Sequence, residues 1–367
     1  MKLRYKILNG LLILIAVAVV ALGLFLSHDD ACEPAPVAAT DGEGFRAITY
    51  SCYGDASVLQ LATLPKPVPA EGEVLVRIHA AGVNPLDYHY MRGTPYMMRM
   101  MSGLGAPDEQ RLGADFSGTV EAVGAGVTRF EPGDAVFGRW VGAFAEYLTM
   151  PADRAIVRKP DNISFEEAAA VPIAAVTALQ ALRDHGELQA GQQVLINGAS
   201  GGVGTFAVQI AKSIGAEVTG VCSTRNVEMV RSIGADYVVD YKTDDYTQSE
   251  ARYDLIVDMV GNHSPGANRE VLKPGGTYVI VGGPKGKWIA PMVNPLKAAV
   301  LSKFVDEKFV TMLARLTLED LTYLSELMAA GQMRPVLDRE FSLSEVPDAI
   351  RYSESGRARG KIVVTMD

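Results

Sequence analysis

Asn197-Gly198-Ala199-Ser200-Gly201-Gly202-Val203-Gly204 is the stretch whose reading decides the fold. It follows the apolar run Val194-Leu195-Ile196 and opens into Thr205-Phe206-Ala207-Val208-Gln209-Ile210-Ala211-Lys212, whose spacing suits a buried helix. Strand, glycine turn and helix in that order give a glycine pattern the context of a dinucleotide fingerprint. Ala199 stands where the first glycine of G-x-G-x-x-G is expected, with Gly201 and Gly204 as the second and third. Glycines let the backbone turn tightly and approach a pyrophosphate, and the helix start offers N–H groups and the positive end of its dipole. Ala199, Ser200, Gly201, Gly202, Val203 and Gly204 are therefore expected to hold a cofactor's phosphates; a purely structural tight turn is the alternative.

The next strand selects the cofactor. It spans 217–223 and ends in Ser223-Thr224-Arg225-Asn226. A site for NAD places an Asp or Glu near this point, to hold the ribose 2′-OH. Hydroxyls and a guanidinium suit a 2′-phosphate instead, and Arg225 offers it planar, charge-assisted donors. Ser223 and Arg225 thus point to NADPH rather than NADH.

A net charge of −9 with no basic stripe argues against nucleic acid as a partner. The 367 residues suffice for two domains with cores of their own. Cys32, Cys52 and Cys222 are too few for a disulfide framework and form no C-x-x-C pair, and Cys222 reads as a small core residue.

The amino terminus is a separate segment. Lys2, Arg4 and Lys6 precede an apolar run from about Ile7 to Leu26. About 20 residues at ~1.5 Å each match a hydrocarbon core. Residues 1–31 are accordingly expected to form an uncleaved, single-pass transmembrane helix that makes the membrane a partner, with a signal-like segment cleaved near Ala21-Leu22-Gly23 as the alternative, and residues 32–44 a flexible linker. Charge asymmetry favours a cytoplasmic amino terminus, whereas supply of a reduced cofactor favours a cytoplasmic enzyme, so the facing side stays open. On this reading the core begins near Phe45, and residues 1–40 are dispensable for folding.

Short strands at 47–50, 73–79, 118–123 and 135–137, separated by Pro and Gly, form an all-β region. A helical pattern over 165–183, capped by Ser164 and broken near Pro172, introduces alternating strands at 194–196, 217–223, 237–241, 253–260 and 277–282. Such alternation implies a parallel sheet covered on both faces. After a second helical tract, a strand at 336–341, a helix at 343–353 and a strand at 361–365 are expected to return to the first domain.

Five segments carry a family resemblance: Ala80-Ala81-Gly82-Val83-Asn84-Pro85-Leu86-Asp87, Gly113-Ala114-Asp115-Phe116-Ser117-Gly118, Gly142-Ala143-Phe144-Ala145-Glu146-Tyr147, the glycine turn, and Arg359-Gly360-Lys361-Ile362-Val363. From about Phe45 to Asp367 the chain resembles the medium-chain dehydrogenase/reductase superfamily, on its zinc-independent, quinone oxidoreductase-like (zeta-crystallin-like) branch. The resemblance implies an α/β fold: a GroES-like, mainly β catalytic domain over 45–165 and 303–367, and a Rossmann-type, doubly wound NADPH domain over 166–302. Thr177, Tyr241, Val260, Gly282, Gly283 and Lys361 join the cofactor contacts by resemblance; Tyr241 as a buried sheet-end residue and Lys361 as a strand-edge lysine are the alternatives.

Zinc alcohol dehydrogenases have a Cys where this chain has Asn84, and a Gly-His-Glu where it has Gly113-Ala114-Asp115; no metal is expected. Without a metal to polarise a carbonyl, the resemblance favours hydride transfer to a quinone or α,β-unsaturated carbonyl. There the charge spreads onto a distant oxygen, and donors plus one proton source suffice. Asn84 is the candidate for positioning substrate or nicotinamide, with an ordinary turn at Asn84-Pro85 as the alternative, Asp87 for orienting neighbours, and Tyr90, Tyr96 or water for the proton. A non-catalytic, redox-responsive NADPH-binding protein and an alcohol or aldehyde oxidoreductase are the competing readings. Met97-Met98-Arg99-Met100-Met101 is expected in inter-domain packing or a substrate pocket, and the helix near 296–304 is expected to be buried or to face a second subunit in a homodimer, with rest on a lipid surface as the alternative.

Overall fold

The computed structural model describes residues 2–32, 44–284, 286–288 and 290–366, and for residues 2–12 the helical path alone. The expected linker falls at 33–43, outside the described residues. Two sheets organise the chain. The first contains β3 (Glu73–Val83), β4 (Asp115–Val123), β5 (Ala135–Arg139), β6 (Tyr147–Pro151), β7 (Ile156–Arg158), β14 (Leu337–Ser342) and β15 (Lys361–Thr365), and β1 (Gly44–Thr49) pairs with β2 (Gln60–Pro65) beside it. The two carboxy-terminal strands add to this sheet through antiparallel pairing of β15 with β3.

The second sheet is all parallel. Its strands are β8 (Gln193–Asn197), β9 (Glu217–Cys222), β10 (Tyr237–Asp240), β11 (Tyr253–Asp258), β12 (Leu272–Ile280) and β13 (Lys308–Thr311), in the order β10-β9-β8-β11-β12-β13. This is the doubly wound 3-2-1-4-5-6 arrangement, whose order reverses between β8 and β11; ligands lie beyond the strand ends at such a reversal. The sixth strand, Lys308–Thr311, comes from residues whose sequence shows no strand pattern, and it lies beyond the residue-302 boundary expected from sequence.

Local chemistry explains the element limits. Ser164 Oγ accepts from Glu167 N at 3.1 Å while Glu167 accepts from Ser164 N at 3.0 Å, a reciprocal cap that starts the helix Phe165–Ala169. Pro172 then opens the helix Pro172–Gln180, where a missing N–H costs nothing. The helix Gly202–Ile214 buries Phe206, Ala207, Val208, Ile210 and Ala211 against β8 and the helix Pro172–Gln180, and ends at Gly215 in the left-handed region. Gly204 is obligatory here: a Cβ would lie 2.1 Å from Gly198 O.

The amino-terminal helix, α1 (Lys2–Leu26), corrects the membrane assignment. Among the described residues no helix is long and apolar enough to cross a membrane, so the transmembrane helix and single-pass anchor expected from sequence are not supported. Moreover, its end is built into the folded domain. Leu26 is buried, Asp30 N donates to Gly105 O at 3.0 Å, and Cys32 forms a disulfide with Cys52, a pairing the cysteine count did not suggest. Cys222 is buried and free.

Arg99 secures this junction. Only 2% exposed, it donates to Gly93 O (2.9 Å), Leu26 O (3.2 Å), His28 O (2.8 Å) and the Asp29 carboxylate (2.7 Å), and its guanidinium lies over the rings of Tyr53 and Tyr96. Met97, Met100 and Met101 around it are exposed rather than packed between domains. Across the cleft, Tyr96 N donates to Lys287 O and the Tyr96 ring meets Trp288. The helix expected at 296–304 runs Val293–Leu301, and Met292, Leu296, Val300 and Phe304 face outward.

Deleting residues 1–40 is therefore expected to destabilise the protein by about 2–4 kcal/mol, because it strips partners from a buried guanidinium. Urea denaturation of full-length and truncated protein checks this. Equal midpoints would show that the segment contributes nothing.

Candidate active site and cofactor cleft

The glycine turn lies where the parallel sheet reverses. Gly201 caps the helix Gly202–Ile214 and makes no side-chain cap, so the first N–H groups of that helix are left for an external acceptor. A Cβ built on Gly201 meets only Gly198 O, at 3.5 Å, so a side chain there would occupy ligand space without disturbing the fold. These features fit a bound pyrophosphate. Behind the turn, the buried Asp258 carboxylate accepts from Asn197 Nδ2 (2.8 Å), Val260 N (2.9 Å), Gly261 N (2.8 Å) and Tyr278 Oη (2.7 Å), fixing the ends of β8, β11 and β12 together. Val260 and Tyr241 are exposed at the strand ends, and Gly282 crosses so close to Met259 that a Cβ would lie 2.1 Å from its carbonyl oxygen. Gly283 follows beside Pro291, and Thr177 is tied to its own helix through Ile173 O at 2.7 Å.

The two sheets meet at this turn. Gly360 N donates to Ser200 O at 2.9 Å, and Gly201 bridges Gly360. Gly360 needs its positive φ of 83°, and a Cβ would strike Val336 O at 2.2 Å. The next residue, Lys361, passes Gly202 and sends its ammonium inward, where it donates to Asn84 Oδ1 at 2.6 Å and Val83 O at 3.0 Å. Asn84 Nδ2 in turn donates to Asp115 Oδ2 at 2.9 Å and Gly82 O at 3.3 Å. Asp115 also accepts from Ile173 N at 3.1 Å, at the positive start of the helix Pro172–Gln180. Asp87 Oδ2 accepts from Asn84 N at 2.7 Å.

Lys361, Asn84, Asp115 and Asp87 thus form one buried polar cluster, each at most 3% exposed. Burial pushes Asp87 up to about 7, against the pull of the Asn84 N–H. Burial also raises Asp115, to about 6, opposed by Lys361 and the Asn84 amide. Lys361 is lowered by burial, with the two carboxylates opposing. Both ends of the Asn84 amide are engaged inside the protein, so its position sets its neighbours. Tyr90 is 37% exposed on the helix Pro85–Arg92, and Tyr96 lies apart from it, against Trp288. Asp115 and Asn226, described below, were not singled out by sequence; both follow residues that were, but only burial reveals their partners. Tyr50, buried and electrostatically coupled to Asp87 and Tyr90, is a third such residue.

The glycine turn, a reversed parallel sheet and a GroES-like partner sheet coincide with the similarities of the sequence. Residues 70–161 match the family model described as alcohol dehydrogenase GroES-like domain, and residues 233–364 that described as zinc-binding dehydrogenase. A quinone oxidoreductase, QR1, of Triphysaria versicolor chloroplasts is 34% identical over 342 residues, covering 88% of this chain and 99% of that protein. A 2-methylene-furan-3-one reductase of Solanum lycopersicum is 31% identical over 334 residues, covering 87% and 78%. The chain belongs to the medium-chain dehydrogenase/reductase superfamily, on its zinc-independent, quinone oxidoreductase-like branch. The crystal structure of the Escherichia coli quinone oxidoreductase complexed with NADPH superposes with a TM-score of 0.76 at 25% identity, covering 88% of this chain and 100% of that one. This medium-chain oxidoreductase accordingly works with a nicotinamide cofactor. Asn84 and Ala114 stand at two metal-ligand positions of its zinc-dependent relatives, and among the described residues no three His, Cys, Asp or Glu side chains gather as a metal site.

The buried carboxyl of Asp87 sets a pH dependence. Its proton affinity is higher folded than unfolded, so the folded state binds the extra proton between about pH 4 and 7, and stability falls as pH rises through that window. Asp87→Asn, which keeps an acceptor for Asn84 N, should gain on the wild type between pH ~5 and ~8, each tenfold change in proton affinity being worth about 1.4 kcal/mol. Chemical denaturation at both pH values checks it; a constant difference would show that Asp87 titrates as an ordinary carboxylate.

Proposed function

We propose that the protein is an NADPH-dependent reductase of quinones or α,β-unsaturated carbonyls. The observation that carries this reading is the Lys361–Asn84–Asp115 cluster, a hydrogen-bond network around Asn84, which by resemblance replaces a metal-ligating Cys, tied through Gly360 to the cofactor turn. Such a centre can orient groups but offers no Lewis acid to stabilise an alkoxide. A conjugated acceptor needs none, since its charge is delocalised and hydrogen-bond donors suffice.

The chain's own residues divide the work. The helix start at Gly202, Val203 and Gly204 holds the pyrophosphate against Ala199-Ser200-Gly201, while Lys361, expected from sequence as a cofactor contact, packs its stem beside Gly202 and commits its ammonium to Asn84 and Val83. Thr177, Gly282, Gly283, Val260 and Tyr241 line the remaining cofactor path. When bound, the reduced nicotinamide supplies the hydride. Asn84 and Asp87 position the floor of the substrate pocket, and Tyr90, 37% exposed on the helix that also carries Asp87, supplies the proton; Tyr96 and water are the alternative donors.

Preference for NADPH is supported by the absence of an acid at the end of β9, where Ser223, Thr224 and Arg225 stand. Arg225 is exposed and donates to Arg357 O at 2.6 Å, across the cleft mouth. Asp240, on the neighbouring strand, is held below the usual carboxylate range by hydrogen bonds from Thr224 and Lys242 N.

Arg225→Ala should weaken NADPH binding by about 1.5–3 kcal/mol, the worth of a hydrogen bond to a charged group, with NADH little affected. Equal loss for both would make Arg225 structural. Gly201→Val should fold normally yet bind neither cofactor. Absorbance of NADPH followed with quinones, enones and simple aldehydes tests the reaction itself: turnover of aldehydes alone would favour the carbonyl-reductase reading, and turnover of none the non-catalytic one. Tyr90→Phe should cut kcat by about 100-fold with little change in the NADPH dissociation constant; an unchanged kcat would pass the role to Tyr96.

A further inference from the structure

Asn226 lies just beyond the tip of β9 and is 4% exposed. Its Nδ2 donates to two hydroxyls at once, Ser200 Oγ at 2.9 Å and Ser223 Oγ at 3.3 Å. Ser200 belongs to the glycine turn and Ser223 follows the last residue of β9, so one amide joins the two walls between which the adenosine end of a dinucleotide lies. Its Oδ1 is the one buried side-chain polar atom without a hydrogen-bond partner among the described residues. A buried, unpaired acceptor is costly. The amide is therefore held with its donor toward the serines at the expense of its own carbonyl.

That orientation has a chemical consequence. A hydroxyl carries one hydrogen and two lone pairs. Since each serine oxygen accepts from Asn226, each keeps its O–H free to donate elsewhere, and among the described residues neither hydroxyl donates to another protein group. Two O–H donors beside Arg225 suit a dianionic phosphate, which only accepts. The 2′-OH of an unphosphorylated ribose is best met by a carboxylate acceptor, and this arrangement offers none. With the amide reversed, Oδ1 would accept from both serines and turn their hydrogens away from the cleft.

We propose that Asn226 is a positioning residue for cofactor selectivity: by donating to Ser200 and Ser223 it aims both hydroxyls at the 2′-phosphate of NADPH. This rests on the NADPH reading and adds to it the device that sets donor polarity. Asn226 itself need not touch the phosphate.

The test uses binding rather than turnover. Dissociation constants of the full-length protein are measured by calorimetry for 2′,5′-ADP and for 5′-AMP, which differ by the phosphate in question. Wild type should prefer 2′,5′-ADP, and Asn226→Ala should lower that preference about tenfold or more, the scale of one charged hydrogen bond, with 5′-AMP affinity held. Asn226→Asp, of the same shape but acceptor only, should lower it further. In a Ser200→Ala, Ser223→Ala background the Asn226→Ala effect should vanish, because nothing remains to be aimed. A wild type indifferent to the 2′-phosphate would overturn the NADPH reading and this inference with it. A wild type that discriminates, with variants that lose both ligands equally or change neither, would overturn the inference alone. An effect that persists in the serine-free background would mean direct contact by Asn226, and would also overturn it. Thermal midpoints identify any variant that fails to fold, and the Asn226→Asp protein then carries the comparison.

Discussion

Lys361 is buried to 3% exposure, and its ammonium ends on Asn84 Oδ1 and Val83 O. Taking an ammonium out of water costs several kcal/mol unless its partners are close and complete. The partners come from distant parts of the chain: Asn84 from the start of a helix after β3, Asp115 from the start of β4, and the Ile173 N–H that holds Asp115 from the helix leading into the parallel sheet. Lys361 itself arrives on β15, whose preceding glycine is hydrogen-bonded to the cofactor turn. The ammonium is satisfied only when both sheets stand in their present relation. Burying this charge therefore fixes the relation of the two sheets and the position of Asn84 together.

The same cluster explains how a dehydrogenase scaffold operates with Asn and Ala at metal-ligand positions. A metal site would hold its ligands by coordination. Here a lysine and two carboxylates hold Asn84 by hydrogen bonds, and neither end of its amide is left for substrate. The residue that sequence suggested as a substrate contact is better understood as the keystone that orients the contacts. Burial leaves Asp87 with a proton affinity near neutrality, close enough to Tyr50 for the two to interact electrostatically.

The amino-terminal segment shows how composition can mislead. An apolar run behind basic residues has the signature of a membrane span, and the pattern carries no information about what the end of the helix touches. In the folded chain that end meets the buried Arg99, the Gly105 backbone and Cys52. These contacts tie it to the loop that carries Tyr96 and reaches Trp288 across the cleft. The segment is thus coupled, through Arg99 and Tyr96, to the Lys287–Trp288 segment.

The sequence by itself determined the parallel sheet, the glycine turn and the residues that end β9, because each rests on short-range rules. Alternating strand and helix patterns, glycines where a Cβ would collide, and hydroxyls in place of an acid are legible within about 30 residues, the scale of one βαβ unit. The Ser164 cap and the break at Pro172 were legible for the same reason. The sixth strand at Lys308–Thr311 was not, since its half-buried place at the sheet edge leaves little periodicity to read. Only the tertiary structure decided that Lys361 reaches Asn84, that Asp115 lies between Asn84 and a helix start, and that Asn226 joins two serines. Those pairs are separated by 277, 31 and up to 26 residues along the chain. Partnership between buried polar groups follows from where the packed elements leave them, and local patterns do not record it.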